Sequence, residues 1–154
     1  MLREWFSKAE RVVVAGVGNP QRMDDSIGMK IVQDLHGKVS EKVFLVECET
    51  VPESFIQEII DFDPTHILVI DAAILGVNPG DARLIEHTLL PTYSAFSTHS
   101  LPLRLFCDNL TEATRAKVAL LLVQPKKTDF GEELTPEALT SARRIVQALL
   151  RVLP

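Results

Sequence analysis

Asp24 and Asp25 are adjacent acids, Asp71 directly follows an apolar run, and His99 lies in the polar stretch Ser97-Thr98-His99-Ser100. Taken together, Asp25, Asp71 and His99 make a donor set of two carboxylates and one imidazole, which suits nickel, zinc or another divalent first-row ion and leaves coordination positions open. Each member also has a plainer use. An acid at a helix start is favoured by the dipole, which explains one of Asp24 and Asp25 better than both. Asp71 could simply form a turn, and an isolated histidine is most often solvated or structural, as His36, His66 and His87 would be at predicted element ends. The set as a whole therefore carries the metal reading. The chain has neither HExxH nor GxSxG, and Ser97 and Ser100 stand too close to His99 in sequence to imply a nucleophilic triad. Gly16-Val17-Gly18-Asn19-Pro20-Gln21 resembles a dinucleotide fingerprint, but its third glycine is missing, Pro20 interrupts it, and acids follow where a pyrophosphate would want donors. A nucleotide-binding module is the weaker reading of that loop.

Positioning these residues is the task of alternating strands and helices. Arg11–Val17 is a continuous apolar, β-branched run, as expected of a strand covered on both faces, and it ends at the strand-breaking Gly18-Asn19-Pro20. Ile27, Met29, Ile31, Val32 and Leu35 follow with near-helical spacing, closed by Gly37 as a left-handed cap. Residues 43–46 read as a second strand, residues 52–60 as a helix with Pro52 at its start, and residues 66–70 as a third strand ended by Asp71. The turn Asn78-Pro79-Gly80-Asp81 leads to a short strand, residues 82–87, whose brief connection predicts an antiparallel edge position. A helix over 101–110, a fifth strand over 118–123 and a last helix opened by Thr135-Pro136-Glu137 complete the chain. Strand–helix alternation implies a three-layer α/β/α sandwich with a mostly parallel sheet, in which ligands collect beyond the strands' carboxyl ends. That rule directs attention to the loop after Val17, the position after Ile70 and the loop around His99.

With 154 residues, 46% hydrophobic and 24% charged, the chain reads as a single domain spanning residues 1–154 with a core of its own. Collagen-like and disordered classes are excluded by 7 glycines and 9 prolines without low-complexity runs. A formal net charge of −5, with no basic block, argues against nucleic acid or an anionic lipid surface as partner. The longest apolar run, Val118–Val123, is too short to span a bilayer, and Met1–Arg11 lacks a signal-like apolar stretch, so a cytoplasmic location is expected. Cys48 and Cys107 show no metal or redox spacing and read as reduced, buried thiols.

The ordered motifs Gly16-Val-Gly-Asn-Pro-Gln-Arg-Met-Asp24-Asp25-Ser-Ile-Gly28, Val69-Ile-Asp71-Ala72, Asn78-Pro79-Gly80, Ser97-Thr98-His99-Ser100-Leu101-Pro102-Leu103 and Val123-Gln124-Pro125 resemble the nickel-iron hydrogenase maturation endopeptidases. The nearest branch is the one that processes formate-hydrogenlyase-type (hydrogenase 3) large subunits, and the resemblance runs from about residue 11 to the C-terminus. It implies a phosphorylase/hydrolase-like α/β/α fold with a mixed five-stranded sheet. The implied activity is that of an aspartic-type peptidase removing a C-terminal extension from the large-subunit precursor once nickel is installed. Metal contact then falls on Asp25, Asp71 and His99, which would be the catalytic site, and substrate contact on Asn19 and Glu47. Nickel would belong to the precursor and serve as the recognition handle, leaving no tightly bound metal in the isolated protein. A monomer meeting its substrate transiently is the expected state.

One departure stands out. The family's Asp-Gly-Gly-type segment after the second strand reads Glu47-Cys48-Glu49 here, which makes close backbone approach by a substrate strand harder. Water attack could be assisted by metal polarisation, a metal-bound hydroxide or a carboxylate base. A non-catalytic nickel-binding or delivery protein with the same ligands is the alternative from another class.

Overall fold

The computed structural model of the chain describes residues 1–88 and 100–154. Its strands are β1 (Val12–Val17), β2 (Val43–Glu49), β3 (His66–Ala72), β4 (Ala82–Glu86) and β5 (Lys117–Val123), and its helices are α1 (Leu2–Trp5), α2 (Ile27–Leu35), α3 (Ile56–Phe62), α4 (Ser100–Thr114) and α5 (Pro136–Val152). The strands form one five-stranded sheet in the order β2-β1-β3-β5-β4. All its neighbouring pairs are parallel except β4–β5, so the short strand expected at an antiparallel edge is found there.

Period-2 alternation divides each central strand between two apolar layers. Val12 and Val14 of β1, Leu68 and Ile70 of β3, and Ala119 and Leu121 of β5 pack with α1, α2 and α5. Val13, Ala15, Ile67, Val69, Val118 and Leu120 pack on the opposite face with Ile59 of α3 and Phe106, Cys107 and Leu110 of α4. Helices on both faces give the three-layer sandwich.

Two glycines let α2 approach the sheet. A Cβ on Gly16 would lie 2.3 Å from the Gly28 carbonyl oxygen, and one on Gly28 would lie 2.3 Å from that of Ile70. The start of α2 is therefore seated directly over the carboxyl ends of β1 and β3, which brings the acidic turn before it to the same edge. At the helix's far end Gly37 adopts φ +79°, the left-handed conformation expected of it.

Some boundaries differ from the sequence expectation. β3 continues through Ala72, so Asp71 pairs opposite Leu122 inside the sheet instead of following the strand. β2 extends to Glu49, and the helix expected from Pro52 begins as a 3-10 turn, Pro52–Phe55. α4 covers more than the expected ten residues, and α1 had no sequence signal.

α1 caps the sheet's opposite end, where Trp5 and Phe6 enclose His66 with ring centroids 5.1 and 6.2 Å away. His66 is 4% exposed and its Nε2 has no partner among the described residues. Burial, helped by nearby Lys117, lowers its pKa below the ordinary 6.5 despite a backbone contact at Trp5 that acts the other way. The unfolded chain thus takes up this proton at a higher pH than the fold does. Stability is expected to fall as pH drops below about 6.5 toward the folded value, read as a declining urea midpoint, and His66→Leu is expected to flatten that segment of the profile.

Candidate active site

A cleft of about 750 Å³ opens at the carboxyl ends of β1 and β3, bounded by the loop after β1, Thr50 and Pro52 after β2, the end of β3, the first turn of α4 and the loop after β5. This is where a doubly wound sheet presents ligand-binding residues. Asp25 and Asp71 both line it.

Asp25 is carried by a 3-10 turn, Met23–Ser26, that precedes α2. Its Oδ2 accepts the Asn19 N–H at 2.9 Å, while Asn19 Oδ1 accepts the Gln21 N–H at 2.9 Å. Asn19 thus lines the cleft with its side-chain carbonyl committed to its own loop. The turn depends on Gly18, where φ is +146° and a Cβ would lie 1.8 Å from the Asp25 carbonyl oxygen.

Asp71 Oδ1 accepts the N–H of Ala72 at 2.8 Å. Burial pushes the Asp71 carboxyl well above the ordinary carboxylate range, and neighbouring Asp25 adds to it, while the Ala72 N–H opposes both. A partly desolvated acid pair of like sign has formed at the expected edge. Among the described residues no group of three or more His, Cys, Asp or Glu side chains could hold a metal ion. His99, the expected third ligand, lies outside the described residues.

The neighbouring acid does not cap the helix, the use expected of one member of the pair. Asp24 is 1% exposed; its Oδ2 accepts N–H groups of Lys126 and Lys127 at 2.9 and 3.2 Å and the Thr135 hydroxyl at 2.7 Å, and its Oδ1 accepts the Thr135 N–H at 2.8 Å. Ser26 holds the N-cap position of α2, without a side-chain cap bond. The adjacent acids divide the work, with Asp24 fixing the loop after β5 and Asp25 facing the cleft.

Gln124 supports another wall. Its Oε1 accepts the Leu75 N–H at 2.7 Å, and its backbone carbonyl accepts the Gly80 N–H at 2.8 Å, holding the segment that follows Asp71.

Glu47 is directed elsewhere. Period-2 alternation puts Val46 and Cys48 on the α3/α4 face and Glu47 on the α2 face, where its Oε1 accepts from Gln33 Nε2 at 2.7 Å. Thr50 and Pro52 are the residues of this segment that line the cleft. Glu49, in the segment where the resemblance has glycines, adopts a left-handed φ of +50° beside the register shift between β1 and β2. Burial pushes the thiols of Cys48 and Cys107 up to about 12, aided by Glu53 and Asp108 respectively, so neither is a thiolate nucleophile at neutral pH. Arg22, to which the sequence reading gave no role, also lines the cleft.

The family model described as hydrogenase maturation protease, HycI, matches residues 29–152. A provisionally named hydrogenase maturation protease of Methanocaldococcus jannaschii is 30% identical over 161 residues, covering 99% of this chain and 94% of the relative. The Hydrogenase 3 maturation protease of Escherichia coli K12 is 27% identical over 137 residues, covering 89% of this chain and 87% of the relative. The crystal structure of a nickel-iron hydrogenase maturation protease HycI from Thermococcus kodakarensis KOD1 superposes with a TM-score of 0.91 at 30% identity, covering 99% of this chain and 97% of that one. The α/β sandwich with its acid-bearing cleft therefore belongs to a peptidase: the chain is a member of the hydrogenase maturation protease family.

The raised Asp71 pKa has a direct consequence for stability. The fold retains this proton to a higher pH than the unfolded chain, so the associated stability is present below about 3.8 and is lost as pH rises through the folded value. Asp71→Asn, a neutral group of similar shape, is expected to raise the urea midpoint at pH 7 in the protein free of substrate. The gain should shrink as the pH is lowered toward 3.8.

Proposed function

We propose that this protein removes a C-terminal extension from a nickel-iron hydrogenase large-subunit precursor, and that nickel already installed in the precursor is the handle by which the substrate is recognised. The observation that carries the reading is the convergence of Asp25 and Asp71 in one cleft at the sheet's carboxyl edge, in a chain of the maturation protease family. The names of the relatives from Escherichia coli and Thermococcus kodakarensis support the substrate class.

The acid pair suits a cation delivered from outside. Asp71 is half-buried beside a like charge, and each carboxylate accepts only one hydrogen bond among the described residues. A divalent ion approaching the pair favours the ionised form of Asp71 and removes the like-charge penalty. Hard carboxylate oxygens with one imidazole from His99 form a donor set that binds such an ion without enclosing it. Docking by the metal then fixes the scissile bond relative to the cleft, so orientation supplies a large share of the rate. The attacking water is polarised by the metal or deprotonated by a carboxylate of the pair.

Incubation of the purified protein with nickel-loaded and nickel-free forms of a cognate precursor, followed by the precursor's C-terminal mass, tests this reading. Loss of a defined tail from the loaded form alone is expected. Equal cleavage of both forms would remove nickel as the handle. Tight nickel uptake by the isolated protein with no cleavage of either form would favour a delivery protein instead.

A further inference from the structure

Arg22 is the one cationic side chain among the described residues lining the cleft that holds Asp25 and Asp71. It forms no ion pair among the described residues, and its guanidinium carbon stands 4.4 Å from the centroid of the Phe130 ring. Phe130 is 76% exposed and contributes to neither apolar layer, so hydrophobic burial does not account for its place. Its placement does serve Arg22. An aromatic face beneath a planar guanidinium fixes the plane and leaves the N–H edge free to donate. One of these donors reaches the Thr128 carbonyl at 3.5 Å, at the margin of a hydrogen bond.

The backbone holding this pair is closely tied. Arg22 and Gly131 form a parallel β-bridge, the Met23 N–H donates to the Gly131 carbonyl at 2.8 Å, and the Gly131 N–H donates to the Gln21 carbonyl at 2.9 Å. Asp24, the second residue after Arg22, anchors the other strand of the same junction through Lys126, Lys127 and Thr135. A backbone fixed on both sides thus presents an arginine, backed by an aromatic ring, to the cleft, with no carboxylate among the described residues pairing with the arginine.

Charge is segregated along the cleft, with two acids at the sheet edge and a guanidinium on the loop above. A cationic centre is drawn to the acids, while a carboxylate is repelled by them and held at Arg22, whose fork of donors matches a carboxylate in two-point contact. We propose that Arg22, supported by Phe130, receives a carboxylate of the bound precursor peptide, either an acidic side chain or the chain terminus, and so sets the direction in which the peptide lies. The proposal rests on the peptidase reading and makes Arg22 a specificity-determining positioning residue.

The test uses nickel-loaded precursor with a fluorophore on its C-terminal tail, so that binding and cleavage are read separately, against the wild type, R22Q, R22K and F130L. Thermal midpoints and circular dichroism are used to check each variant's fold. R22Q is expected to raise both Kd and KM by about tenfold with kcat nearly unchanged, and to lessen the salt dependence of binding. R22K should recover part of the loss, and F130L should fall between R22Q and the wild type. Precursors with tail acids changed to amides, or with an amidated terminus, separate the two carboxylate sources: the form that already binds weakly should be insensitive to R22Q. An unchanged Kd in folded R22Q, or an equal effect of R22Q on precursors with all those carboxylates neutralised, would overturn the proposal. If the wild type binds the tail through Arg22 but cleaves nothing, the peptidase reading fails while this inference stands.

Discussion

Four donors converge on the buried carboxylate of Asp24, and the arrangement of the cleft follows from them. Three are backbone N–H groups and the fourth is the hydroxyl of Thr135, whose oxygen also accepts the Ala138 N–H and so caps α5. An ionised carboxylate enclosed without partners would cost several kcal/mol, roughly, whereas charge-assisted bonds to all these donors offset that cost. The geometry joins the turn before α2 to the loop after β5, elements more than 100 positions apart. Asp25 lies one residue beyond this anchor and Arg22 two before it, so the acid and the cation of the cleft take their positions from the same buried group.

Asp71 is held by different means. It occupies a strand buried within the sheet, where the register with β5 fixes its place and leaves little freedom to move away from Asp25. Burial and a like-charged neighbour make its carboxylate costly, and a fold selected for stability alone would put an amide there. Polar groups kept at such a cost are characteristic of sites that exchange stability for function. Gly16, Gly18 and Gly28 extend the same economy of space, since a side-chain carbon on any of them would collide with backbone at the junction of β1, β3 and the acidic turn.

The succession of strands and helices and their layers could be read largely from hydrophobic periodicity, because the central strands are apolar on both faces and the longer helices have one apolar stripe, whereas the order β2-β1-β3-β5-β4 could not. Asp25 and Asp71 were legible because both follow apolar β-runs in sequence, and a parallel sheet gathers such positions at one edge. Asp24 was not, since its partners come from Lys126, Lys127 and Thr135, and no local pattern records a contact that distant. Glu47 could have been oriented by the alternation of β2, whose even-numbered neighbours Val46 and Cys48 share the α3/α4 face. The motif likeness drew attention to its type instead of its direction. Arg22 and Phe130 lacked any periodic signal, because their meaning depends on a cross-loop β-bridge. The place of His66 depended on α1, a helix too short to announce itself.

The proposed function depends on Asp25 and Asp71, which line the same cleft, acting as one unit. The most direct measurement is the C-terminal mass of a nickel-loaded precursor incubated with the wild type, Asp25→Asn and Asp71→Asn, with circular dichroism confirming that each variant is folded. The wild type should remove the tail while either variant loses at least about 100-fold in rate, as expected when a group that orients or polarises the reacting centre is neutralised. Full processing by either folded variant would contradict this account of the site.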